Sequence, residues 1–66
     1  MQIQLNGQAT DCPDGCTVAE LLEHLNIPTA GTAVARNETV VHKADYAATT
    51  LAPDDRIEII RAVAGG

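Results

Sequence analysis

The opening stretch Met1-Gln2-Ile3-Gln4-Leu5-Asn6-Gly7 constrains the fold more than any other part of the chain. Met1, Ile3 and Leu5 alternate with Gln2 and Gln4, the pattern of a strand buried on one face only. Asn6-Gly7 follows at once. Both residues accept the positive φ that a type I′ turn demands, so the strand doubles back as a hairpin. A two-residue loop pairs Leu5 with Gln8, Ile3 with Thr10 and Met1 with Cys12, which puts Cys12 on the core-facing side of the return strand. One apolar face is thereby created, and it needs a cover.

The cover is encoded next. Pro13-Asp14-Gly15 breaks the strand with turn chemistry. Thr17 is placed to cap a helix, with Glu20 three residues on to complete a capping box and Cys16 and Leu21 at the positions of a hydrophobic staple. Val18, Leu21, Leu22 and Leu25 recur at i, i+3, i+4 and i+7, one stripe of an amphipathic helix. The helix should stop near Asn26, because Pro28 disfavours helical geometry at the residue before it. A chain of 66 residues supports a single core. With no Phe or Trp and Tyr46 as the sole aromatic residue, that core is aliphatic.

Residues 32–36 and 39–42 flank Asn37-Glu38 and read as a second hairpin, although Glu38 suits a two-residue turn poorly and leaves room for a longer loop. Residues 43–52 form a small, polar connection with a short helical turn opened by Asp45 and anchors at Tyr46 and Leu51. Pro53-Asp54-Asp55 then turns the chain into a last strand. Ile57 and Ile59 share one of its faces, Ile60 and Ala62 the other, and apolar residues on both faces mark it as central in its sheet. A hairpin, one helix and a later central strand pack compactly when the helix crosses a mixed sheet and the last strand enters beside the first. The expected fold is α+β, a ubiquitin-like β-grasp with a mixed sheet of four to five strands. It forms a single domain over residues 1–66, with a flexible tail at about 63–66.

Nine acidic residues against four basic ones give a net charge of -5, which disfavours nucleic acid and anionic lipid surfaces and favours encounter with a basic partner. No apolar run is long enough to span a bilayer and Met1 leads straight into the strand pattern, so a cytoplasmic location is expected. Cys12 and Cys16 are too few for a closed zinc site or an iron–sulfur cluster. They read as small buried hydrophobes, with a disulfide in the turn or transient thiol chemistry as the alternative. His24 falls on the polar side of the helix, His42 ends a strand, and serine is absent. The pair Asp54-Asp55 reads as turn-forming and solvated. No catalytic set, bound cofactor or metal site is expected.

The remaining puzzle is the terminus Arg61-Ala62-Val63-Ala64-Gly65-Gly66, where an apolar strand gives way to two residues that neither pack nor hold a conformation. Ile60, Ala62 and Val63 admit two readings: a covered second face, or an exposed apolar patch that docks a partner, with Arg56 and Arg61 at its rim or simply solvated.

The pieces MQIQLNG, TVAELLEHL, AVARNETVVHKADY and DDRIEIIRAVAGG, in this order, resemble the ThiS family, the sulfur carriers of thiamine biosynthesis. The chain departs from the family pattern at Asp54, where a glycine is common, and near Tyr46, where a tryptophan is. The resemblance implies a carrier that is not an enzyme. The Gly66 carboxylate would be adenylated by an ATP-consuming, ThiF-like activating enzyme, converted to a thiocarboxylate with sulfur from a donor protein, and presented to a ThiG-like thiazole synthase. Gly65 and Ala64 would enter the partner's active site with it, docking would fall to Ile60, Arg61, Ala62 and Val63, and the free carrier would be a monomer. Two readings share the terminal chemistry: the small subunit of molybdopterin synthase, which would deliver sulfur to a pterin precursor, and a protein modifier that conjugates Gly66 to lysines. A plain β-grasp binding module with an inert tail is a further alternative.

Overall fold

The computed structural model describes residues 1–61, so the expectations for Ala62, Val63, Ala64, Gly65 and Gly66 lie outside the described residues. Strands β1 (Gln2–Leu5) and β2 (Gln8–Asp11) precede helix α1 (Val18–His24). Strands β3 (Thr32–Arg36) and β4 (Thr39–Val41), a 3-10 turn at Lys43–Asp45 and strand β5 (Arg56–Arg61) follow. The sheet runs β2-β1-β5-β3-β4, with β5 parallel to β1 and antiparallel to β3. This is the ubiquitin-like β-grasp, with the last strand in the middle.

The first hairpin keeps the expected register, Leu5 opposite Gln8 and Ile3 opposite Thr10. Asn6 and Gly7 both take positive φ, 49° and 82°. The second hairpin also closes in two residues. Arg36 pairs with Thr39, and Asn37 and Glu38 sit at φ 50° and 71°. Glu38 is thus forced into a region that ordinary side chains resist, and the sheet rather than the turn decides the loop length.

Helix α1 has only seven residues, too few to persist by itself. Both its ends are closed by specific bonds. Thr17 Oγ1 accepts from the Glu20 N–H, and Glu20 Oε1 accepts from the Thr17 N–H, each at 3.1 Å. The two earlier N–H groups find carbonyls in the connection before β5: Val18 donates to Thr49 and Ala19 to Tyr46, both at 3.0 Å. At the other end, Asn26 is left-handed (φ 58°), its N–H donates to the Glu23 carbonyl and the Ile27 N–H donates to that of Leu22. This is a Schellman turn; it ends the helix at His24 and puts the left-handed Asn26 two residues before Pro28.

The core joins Val18, Leu21 and Leu22 of the helix to Ile3, Val34, Ile57 and Ile59 of the sheet, with Cys12, Cys16, Tyr46 and Leu51 filling the margins. Leu5 and Leu25, also assigned to this layer by their spacing, are half-buried at its edge. Each large aliphatic side chain so buried is worth roughly 1.5–3 kcal/mol. Tyr46 and Leu51 anchor the 43–52 connection as expected. Asp45 ends the 3-10 turn Lys43–Asp45 and, as expected, opens the turn after it: its carbonyl accepts from the Ala48 N–H at 3.1 Å, the Thr49 N–H at 2.9 Å and the Thr49 hydroxyl at 2.7 Å.

Candidate functional site

Strand β5 has a neighbour on each edge, yet only one of its faces is covered. Ile57 and Ile59 point to the helix and are buried, whereas Ile60 is 61 % exposed on the opposite face. Its central position therefore comes from backbone pairing, and its apolar residues do not mark two covered faces. Register assembles the rest of the open face. Ala33 lies opposite Ile60, Ala35 lies opposite Glu58 on one side and Val40 on the other, and Val40 is 65 % exposed. Ile60, Ala33, Ala35 and Val40 form a small apolar field that the fold leaves open.

Of the two arginines considered for its rim, Arg56 belongs there. It shares the open face with Glu58 and Ile60, and its guanidinium stands 3.8 Å from the Glu38 carboxylate. Arg61 lies opposite Thr32, whose side chain faces the core, so by the period-two alternation it falls on the helix side, at an exposed margin. It is solvated and does not border Ile60.

The start of β5 is held by a polar cluster. Asp55 is only 7 % exposed. Its carboxylate accepts from Arg36 Nε at 2.7 Å, Asn37 Nδ2 at 3.0 Å and the Ala52 N–H at 2.8 Å. Burial works against the charge, but these three donors outweigh it and hold the carboxyl below the usual carboxylate range. Asp55 is therefore a structural anion, in contrast to the solvated role read from the pair. Asp54 beside it is exposed and left-handed at φ 68°, a backbone position that suits glycine.

The two hairpin asparagines also bind β5, a role the sequence reading missed. Asn37 Oδ1 accepts from the Arg56 N–H at 2.9 Å, and Asn6 Oδ1 accepts from the Ile59 N–H at 2.9 Å. Their positive-φ turn positions were legible from residue type; the distant backbone partners were not.

The remaining candidates stand apart from this region. Cys12 and Cys16 are free thiols, both buried. Burial first, then Cys12 and Glu20, push the Cys16 thiol up, away from the nucleophilic thiolate. His24 and His42 are exposed. Among the described residues no three His, Cys, Asp or Glu side chains are grouped to hold a metal, and no helix is long and apolar enough to cross a membrane.

Comparison with known proteins agrees with this architecture. The family model described as "ThiS family" matches residues 3–66. The chain is 41 % identical over 66 residues to the sulfur carrier protein ThiS of Escherichia coli (strain K12), covering both chains completely. It is 38 % identical over 66 residues to a thiazole synthase of Magnetococcus marinus, of which those residues make up 20 %. The crystal structure of a thiamine biosynthesis protein (ThiS) from Geobacter metallireducens superposes with a TM-score of 0.86 at 28 % identity, covering all of both chains. The family match over residues 3–66, the 41 % identity over the full length of the E. coli carrier and the shared fold make the chain a member of the ThiS family, the sulfur carriers of thiamine biosynthesis.

Proposed function

We propose that the chain carries sulfur on the carboxylate of Gly66 and that the folded body is the grip by which larger enzymes hold it. The observation that carries this reading is Ile60, an apolar side chain 61 % exposed on the central strand, six residues before Gly66. An apolar residue left open on a strand with both edges paired fits a docking surface beside the reacting end.

The chemistry is that of acyl activation. A carboxylate is a poor electrophile. Attack of the Gly66 carboxylate on the α-phosphorus of ATP releases pyrophosphate and gives an acyl adenylate. A donor protein's persulfide then adds through its outer sulfur to the acyl carbon and AMP departs, leaving an acyl disulfide; a second thiol of a partner attacks the donor-side sulfur, forms a disulfide with it and frees the terminus as a thiocarboxylate. Gly65 and Gly66 carry no side chains to obstruct the approach of ATP or sulfur in a narrow site. Docking through Ile60, Val40 and the neighbouring alanines supplies the binding energy that holds the carrier while its end reacts. Arg56 and the acidic surface orient the encounter.

ATP belongs to the activating enzyme, and the chain holds no cofactor of its own. It acts in the cytoplasm as a protein co-substrate, a monomer when free, with an activating enzyme, a sulfur donor and thiazole synthase as partners. The match to a thiazole synthase favours that acceptor over a pterin precursor. The test is intact mass after incubation with an activating enzyme, ATP and a sulfur donor. Replacement of one terminal oxygen by sulfur supports the carrier. A stable bond to lysines of other proteins supports a modifier, and an unchanged mass where the E. coli carrier is converted supports an inert module.

A further inference from the structure

Strand β1 turns away at Asn6-Gly7 while β5 continues to at least Arg61. The edge of β5 that faces β1 is served by backbone groups up to Ile57: the Gln4 N–H donates to the Asp55 carbonyl and the Asn6 N–H to that of Ile57, both at 2.9 Å. The next residue whose peptide groups point to this edge is Ile59. Its two partners come from one side chain. Asn6 Oδ1 accepts from the Ile59 N–H at 2.9 Å, and Asn6 Nδ2 donates to the Ile59 carbonyl at 3.4 Å. The carboxamide replaces the backbone rungs that β1 no longer supplies.

On its other edge this stretch is paired to β3, Ile60 with Ala33 and Arg61 with Thr32. Asn6 therefore closes the second edge of β5 at Ile59, two residues before the last described residue and next to the exposed Ile60. A groove of about 520 Å³ lined by Gln4, Asn6, Gly7, Arg56, Ile57 and Glu58 runs along this junction.

We propose that Asn6 is a positioning residue for sulfur loading: by clasping Ile59 it holds the end of β5, Ile59–Arg61, in place beside the docking face. The proposal rests on the carrier reading above. Its action is on the fit between carrier and activating enzyme. Loss of the clasp should be felt in the carrier concentration needed for adenylation, and not in the chemical step once the tail is seated.

The test is steady-state adenylation by the activating enzyme with the full-length carrier as varied substrate, at a temperature where every variant is folded. Asn6→Gly removes the clasp while tolerating the positive φ, and Asn6→Asp keeps the acceptor for the Ile59 N–H. Thr17→Ala, at the far helix cap, serves as a comparably destabilised control. For Asn6→Gly the KM for the carrier should rise about three- to tenfold with kcat kept, and amide exchange at Ile59 should accelerate. Asn6→Asp should restore most of the KM, and Thr17→Ala should leave it unchanged. An unchanged KM in Asn6→Gly, or an equal rise in Thr17→Ala, overturns the positioning role. If the wild-type chain is not adenylated at all, the carrier reading fails and takes this inference with it.

Discussion

The two faces of strand β5 differ in what they ask of the rest of the molecule. Toward the helix, Ile57 and Ile59 join one buried cluster with Leu21, Leu22 and Val34. On the other side Ile60 and, across the sheet, Val40 stand open to solvent. Backbone pairing is the same for both, since one strand carries them, so the difference lies in side chains alone. Stability should respond to substitutions on the first face, and partner recognition to those on the second.

The sharpest way to break that division is at Leu22, which is fully buried. Leu22→Ala should cost about 2–5 kcal/mol in chemical denaturation, while the fraction still folded is loaded with sulfur normally. A loading defect in the folded fraction would show that the two faces are coupled.

Next in size is Asp55, whose cluster anchors the start of the strand that both faces share. Asp55→Ala should lose about 2–4 kcal/mol, because Arg36, Asn37 and the Ala52 N–H lose their acceptor together. The pH dependence has a definite sign. The carboxyl of Asp55 is depressed in the folded chain, so its contribution is fully present above the unfolded value of about 4 and disappears as pH falls through the lower folded value. The stability gap between wild type and variant should be flat near neutrality and shrink in acid. A gap that widens in acid would contradict the network.

On the open face, Ile60→Ser should change stability by no more than about 0.5 kcal/mol and raise the carrier KM for adenylation roughly tenfold. Loss of folding with an unaltered KM would invert the comparison. The smallest effect is expected at Asp54, which is left-handed. Asp54→Gly should stabilise the chain by a few tenths to about 1 kcal/mol without touching loading, as thermal melting and adenylation rates would show.

What the residues disclosed in advance were the features set by local chemistry. Thr17 and Glu20 cap the helix because both partners lie three positions apart, and Asn6-Gly7 closes a hairpin because both tolerate positive φ. Asp54 and Asp55 show where such reading stops. They are adjacent and of one type, yet one turns the chain in solvent and the other is buried, and the deciding partner, Arg36, lies 19 residues away. The 43–52 connection was opaque for a related reason. It serves the helix through the carbonyls of Tyr46 and Thr49, groups that every residue possesses. The apolar residues on both faces of β5 led to the right place for the wrong reason: backbone pairing to β1 and β3 makes it central, while Ile60 stays open, because a period-two pattern assigns faces and not their covers. The family resemblance supplied the terminal chemistry, which periodicity and spacing alone do not contain.

The central claim is that reaction belongs to the last residue and support to the body. Removal of Gly66 tests it most directly, with sulfur incorporation read by intact mass and the melting temperature measured on the same preparation. The account predicts no incorporation and an unshifted melt. Incorporation at the wild-type level, or collapse of the fold on losing that one glycine, would contradict it.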